Sequence, residues 1–390
     1  MHPSDFDLAQ LQRDTAALAS ITPRLGGTPG EAVARDWVMA QFRAAGLQRV
    51  RAQPILYPRW SGAGRLSLDG QGLSALALHG SGSTMPAGLS APLLDLAAGG
   101  KADYARRSRA ELRGKVHLAE SGVIYRRRTV LRAEKFGAAA VILVNPVGTE
   151  IEAGTAQIFG KLPIFAVARD TGALLQQAAR EGWRVTLSLR SRYGLGRSAN
   201  VVGEIPGRRR GYLQLAAHYD AWYAGAADNA AGLAILLALA RHWHGRQAPL
   251  TLRFVSFAAE EEGLMGSLFD VLTRAPVVKA LCRGVLSPDI VGPCTPGLYI
   301  SGGPAAARAQ AVALACRSGY RGAAVHDFAD TTFGDHWPYT LLGIPGLMFS
   351  KMPYPLYHTP ADTPEKLDYD DLRWTAAIVG EVADRAIAGR

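Results

Sequence analysis

The segment LQLAAHYDAWYAGAADNAAGLAILLALAR, residues 213–241, constrains the architecture more tightly than any other part of the chain. It begins as an apolar run, passes through a loop holding His218, Asp220 and Asp228, and becomes apolar again after Asn229. Successive strand side chains leave opposite faces, so a strand that is apolar throughout is covered on both sides. The second run, Ala230 to Ala240, is too short to span a bilayer and has the length of a core helix. The pattern recurs downstream, where LTLRFVSFAAEE and GVLSPDIVG read as further strands. Apolar strands alternating with helices imply an α/β fold, a mixed and mostly parallel sheet with helices on both faces.

Upstream, residues 6–46 read as largely helical, with Val33, Trp37, Val38 and Phe42 at helical spacing and Gly46 as a stop. Thr28, Pro29 and Glu31 predict a capping box at a helix start. From about Arg59 to Arg192 the texture changes. Short apolar runs such as GKVHLAE, AAAVILVN and LPIFAVA alternate with glycine and proline, and helical patterns are few. At 390 residues the chain exceeds one compact core. The expected organisation is therefore one α/β domain made of residues 1–58 and 193–390, interrupted by a β-rich insertion over 59–192.

A hydrophobic fraction of 48% with 19% charged residues describes a soluble globular protein. The net charge of +10 is mostly arginine, in runs such as Arg126 to Arg128 and Arg208 to Arg210. No aromatic interleaving or binding motif accompanies these runs, so neither nucleic acid nor a membrane is expected as a partner. Three cysteines without CxxC spacing argue against a disulfide framework. The start MHPSDFDLAQ carries early acids and no leader pattern, which points to the cytoplasm, or to secretion if a leader has been cleaved. Composition leaves the oligomeric state open.

The chemistry-bearing residues are acids and histidines. There is no G-x-S-x-G elbow, and the glycines from Gly154 to Gly160 have the wrong spacing for a phosphate loop. His218 and Asp220, two apart, share one strand face, and Asp220 is near enough to fix the imidazole tautomer. Asp228, taken alone, is accounted for as a helix cap, the run Glu260 to Glu262 as an acidic turn, and Asp289 as a turn residue. GDHWPYTLLGIPGLMF and YPLYHTPADTPEKLDYDDL add Asp335, His336, His358 and Asp362. Taken together, His218, Asp228, Glu261, Asp289 and His358 each lie at or near the end of an apolar segment. In open α/β sheets such exits converge at the carboxyl edge, where ligands bind. Nitrogen and oxygen donors without thiolates suit a catalytic zinc site. Trp222, Trp337, Tyr339 and Tyr354 either line a specificity pocket or fill the core.

In their order, HYDAWYAGAADNAAG, EEEGLMGS, PDIVG and YHTPADTPEKLDYDDL resemble the motifs of the co-catalytic zinc aminopeptidase family. That family also contains glutamate carboxypeptidases, glutaminyl cyclases and transferrin-receptor-like proteins. The motifs cover residues 200 to about 372, and RLGGTPGE near the N-terminus matches more loosely. By position and by GKVHLAESG and AEKFGAAAVILVN, the insertion resembles a protease-associated (PA) domain. The resemblance implies two zinc ions per chain bridged by Asp228, with His218 and Asp289 completing one and Glu261 and His358 the other. It makes Glu260 the general base and has Asp220 orient His218. Pro288 before Asp289 departs from the family pattern, as does the second alanine of DNAAG where serine is frequent.

The implied activity is that of a metal-dependent exopeptidase. An acidic pocket suits the free α-amine of a peptide substrate, which favours an aminopeptidase. Two other functions remain open on this fold. One is a glutaminyl-cyclase-like transferase with one zinc, which needs no second ligand set. The other is a catalytically inactive receptor-like binding protein, which would be free to lose its ligands.

Overall fold

The computed structural model describes residues 1–122, 125–295, 297–320, 325–328 and 334–389. The chain forms two compact units, one of residues 1–57 and 196–390 and one of residues 58–195.

Four parallel strands form the centre of the larger unit, in the order Gly346–Ser350, Cys282–Pro288, Gly207–His218 and Ala248–Phe257. Antiparallel neighbours flank them: Leu298–Gly302 beside Gly346–Ser350, and the 201–205 end of Arg184–Ile205 beside Ala248–Phe257. Val325–Phe328 extends the sheet in parallel to Leu298–Gly302.

The absence of polar alternation is explained by the two cores. Leu213, Leu215 and Ala217 pack with helix Ala231–Trp243 on one face. Tyr212 and Ala216 pack with Val271 and Val278 of helix Met265–Leu281 on the other. Both faces of one strand are therefore dry, as a helix-covered parallel sheet requires. The sheet is mixed and mostly parallel, with helices on both sides.

The N-terminal segment is two helices, Leu8–Ala19 and Pro29–Ala44, separated by residues 20–28. Only half of the capping box predicted there forms. Glu31 N donates to Thr28 Oγ1 at 3.2 Å, but the Glu31 carboxylate accepts from Gly27 N and Ser198 Oγ, both at 2.6 Å. Glu31 is buried, so its second oxygen is satisfied by tertiary structure instead of a local loop.

The smaller unit is built on parallel strands Leu89–Asp95, Val116–Glu120, Ala140–Val144 and Ile164–Val167, with Leu76–Ala77 antiparallel at one edge. It also carries helices Arg126–Lys135 and Arg169–Arg180, which the glycine punctuation of the sequence conceals. Arg126–Lys135 buries only Thr129, Val130 and Ala133, and its arginines and lysine leave little apolar content to mark a helix. Among the described residues, no helix is long and apolar enough to cross a membrane.

Candidate metal centre

The candidate residues leave the carboxyl ends of the parallel strands. His218 is the last residue of its strand and pairs with Phe257, the last residue of the next. Three and four residues beyond Phe257 come Glu260 and Glu261. Asp289 follows Cys282–Pro288 directly, and its N–H donates to Phe349 O at 2.9 Å, so Pro288 does not displace it. Asp228 lies in the turn Ala226–Ala230 that leads into helix Ala231–Trp243, with a cis peptide to Asn229. His358 has φ +56°, a left-handed conformation uncommon outside glycine.

These residues meet as two groups that share Asp228. His218 Nε2 lies 3.0 Å from Asp228 Oδ1 and 3.3 Å from Asp289 Oδ1. His358 Nε2 lies 3.0 Å from Asp228 Oδ2 and 2.9 Å from Glu261 Oε2. Zinc bonds to nitrogen and oxygen of roughly 2.0–2.1 Å put tetrahedral ligands about 3.3 Å apart, so both triads match a coordination edge or fall slightly inside it. Glu260 Oε2 is farther off, 3.9 Å from His218 Nε2. Its side chain retains 13% of its exposure, more than any of the other five.

Residues outside the triads hold those within them. His218 Nδ1 donates to the backbone carbonyl of Asp220 at 3.0 Å, which leaves Nε2 facing the cluster. The Asp220 carboxylate lies 3.7 Å from that nitrogen and instead accepts from Glu260 N and Glu261 N, both at 3.1 Å. Asp220 thus orients His218 by its main chain and the glutamate pair by its side chain. Trp222 Nε1 donates to Glu261 Oε2 at 2.8 Å. Asp362 accepts from Ala227 N at 3.0 Å, Asp228 N at 3.3 Å and Tyr354 Oη at 2.9 Å. Asn229 accepts from Gly232 N and donates to Pro288 O, both at 3.1 Å, tying the helix start to the strand before Asp289. The Tyr357 ring stacks on His358 with centroids 3.7 Å apart.

Electrostatics favours a bound cation. Burial pushes Glu261 up to about 7 against the pull of His358, and pushes Glu260 well above the usual range against His218. Burial acts against charge on His358, yet Glu261 and Asp228 outweigh it and raise the group to about 10. His218 is likewise raised, by Glu260 and Asp289, against its burial. Buried carboxylates at this density are costly unless a positive charge meets them, and divalent cations suit the donor set better than several protons. Either triad could hold one, with Asp228 common to both.

Other sequence candidates fall elsewhere. Asp335 is buried within electrostatic reach of His218 and Asp289, and burial lifts it to about 7. His336 is fully buried, lowered to about 3 by desolvation, and stands outside the triads. Tyr339 belongs to the core, donating to Asp270 Oδ2 at 2.6 Å, and is not among the residues that line the pocket over Asp228. Trp222 lines the pocket over Asp228, Glu261 and His358, together with Tyr223, Gly225 and Asp362. No local pattern assigns a role to Arg24, which is wholly buried against the loop that follows His218.

Residues 200–383 match the model of peptidase family M28 and residues 89–175 that of the PA domain. Aminopeptidase YwaD of Bacillus subtilis is 28% identical over 256 residues, 64% of this chain and 54% of that protein. Human carboxypeptidase Q is 25% identical over 275 residues, 64% of this chain and 57% of that protein. The chain thus spans little more than half the length of these relatives. A solved zinc aminopeptidase from Bacillus subtilis shares the fold, with a TM-score of 0.77 at 24% identity over 98% of this chain and 95% of that one. The chain has the fold of that solved structure. Residues 200–383 are thus similar to peptidase family M28, and residues 89–175, which fall within the smaller compact unit, to the PA domain.

Proposed function

We propose that this chain is a zinc-dependent exopeptidase, an aminopeptidase that hydrolyses the N-terminal residue of peptides at a two-zinc site. The observation that carries the reading is Asp228, whose two oxygens each lie 3.0 Å from a different imidazole, one on each triad. His218 and Asp289 would hold one ion, Glu261 and His358 the other, and Asp228 both. When bound there, zinc supplies Lewis acidity toward a carbonyl oxygen and makes water more acidic.

The protein's own groups account for the rest. Glu260, beside the triads and outside their shortest contacts, takes the proton from the attacking water at its carboxylate and returns it to the leaving amine. Its raised proton affinity, set by burial and opposed by His218, suits an acid that must give the proton back. Asp362, which this reading leaves off the metals, keeps the pocket beside Asp228 and Glu261 acidic and suits a free α-amine, which is why an aminopeptidase is preferred to a carboxypeptidase. Trp222 closes one side of that pocket while donating to Glu261.

Zinc per chain is measured by elemental analysis on protein purified without chelator, followed by turnover of aminoacyl-nitroanilides. About two zinc ions are expected, with activity on free but not N-acetylated substrates. Glu260→Gln should keep both ions and lose roughly 10²- to 10⁴-fold in kcat, the range for a lost general base. One tightly held ion with pyroglutamate formation would establish a cyclase instead, and a variant with normal turnover would remove Glu260 from its role.

A further inference from the structure

Arg24 is the largest of the fully buried side chains, and its fork is spent on main chain. Its Nε donates to Tyr219 O at 2.8 Å, Nη1 to Ala224 O at 2.6 Å and to Tyr223 O at 3.4 Å, and Nη2 to Gly225 O at 3.0 Å. These four carbonyls come from the single loop that joins His218 to Asp228. The loop therefore curls around one guanidinium, with the negative ends of four peptide dipoles turned toward it. Gly225 completes the turn at φ +52°, and a β-carbon there would strike Asp228 O and the Ala221 side chain.

A buried cation held only by neutral carbonyls is unusual, because desolvation is better offset by a carboxylate. Burial does lower its proton affinity, to about 10, and the charges that oppose this are Asp220, Asp362, Glu261 and Asp228. Those are a ligand of each kind in the centre and two residues that brace it. The loop also carries Trp222, which donates to Glu261, and Asp220, which holds the Glu260 and Glu261 N–H groups.

We propose that Arg24, supplied by the N-terminal segment, is a positioning residue of the metal centre. It holds loop 219–225 closed, and so sets Asp228 between the two imidazoles and, through Trp222, sets Glu261 against His358. The inference rests on the two-metal reading above. Lysine cannot replace the fork, since one ammonium donates from a single point and cannot span carbonyls from residue 219 to residue 225.

The test strips the full-length protein of metal and titrates it with zinc against a chromophoric chelator, alongside circular dichroism and thermal melting. Arg24→Lys should fold yet bind the weaker of its two zinc ions at least ~10-fold less tightly, the range for lost outer-shell support. Its kcat should fall by a similar factor with KM little changed. A melting temperature lowered with zinc affinities and kcat left as in wild type would show a scaffold role only and overturn the proposal. Trp222→Phe cuts the last link without touching Arg24, and keeps the test open if Arg24→Lys does not fold. It should reproduce the zinc defect without the loss in melting temperature, and unchanged zinc binding in that variant would overturn the relay. Fewer than two tight ions in wild type would instead defeat the two-metal reading itself.

Discussion

Replacing Asp220 by asparagine separates two accounts of the same residue. The motif places its carboxylate on His218, whereas the structure places it on the backbone of Glu260 and Glu261, 3.1 Å from each nitrogen. Asparagine keeps one oxygen and puts an amide nitrogen where the other was, so one N–H donor loses its acceptor in a fully buried setting. A hydrogen bond to a charged group contributes about 1.5–3 kcal/mol, and an orphaned buried donor is of similar cost. For a domain of this size each kcal/mol lowers the melting temperature by about 2–4 °C, so a fall of roughly 3–12 °C is expected. If the loss is felt in the placement of Glu260, kcat falls roughly ten- to a hundredfold, since about 1.4 kcal/mol is a factor of ten. The readouts are thermal melting, steady-state kinetics and zinc titration of the stripped protein. His218 keeps its bond to the residue 220 carbonyl, so the zinc held with Asp289 should stay tight while the one held with Glu261 weakens. The opposite order, loss at the His218 ion with the other unchanged, would refute the structural account and restore the simpler reading of the motif.

Two further outcomes follow from buried charge. Asp270 accepts from Arg253, Arg274 and Tyr339, and despite burial Arg253 and Arg274 lower its pKa from 3.8 to about 2. A depressed carboxylate stabilises the fold above its unfolded pKa and loses that contribution as pH falls through its folded one. On the order of 2 kcal/mol should therefore disappear between pH 4 and pH 2, so the melting difference between wild type and Asp270→Asn should narrow over that window. Removing metal with a chelator should lower the melting of the larger unit, by about 4 kcal/mol if zinc is held a thousandfold above its Kd, and adding zinc should restore it. Melting unaffected by chelation would mean that the triads hold no ion.

Much of the architecture is written in local pattern. Leu213, Leu215 and Ala217 face one core and Tyr212 and Ala216 the other, so the absence of polar alternation is itself the mark of a covered sheet. The candidate residues were legible because each lies at or after a strand exit, where residue type and position coincide. What supports them was not. Glu31 completes a capping box by local pattern, yet its oxygens reach Gly27 and Ser198. Arg24 acts on residues some 200 positions away, and no local period announces it. Tyr339 looked as fit for a pocket as Trp222, and only tertiary packing separates them. Helix Arg126–Lys135 was hidden because its arginines and lysine leave few apolar residues to mark it, with only Thr129, Val130 and Ala133 buried.

The order of the motifs along the chain corresponds to a closed ring of braces in space. Asp220, after the first strand, binds the loop after the second by its carboxylate. Trp222 reaches the same loop at Glu261. Asn229, entering the helix, binds the end of the strand that delivers Asp289. Asp362, four residues past His358, returns to the backbone of Ala227 and Asp228. Each loop that carries a candidate residue is thus tied to a neighbouring element by a residue outside the triads, and the ring closes on Asp228. Coulomb repulsion among buried carboxylates would otherwise spread these loops apart, by several kcal/mol per close pair even at an effective dielectric of about 20. The braces hold the acids together at a spacing that a compact, doubly charged partner would relieve.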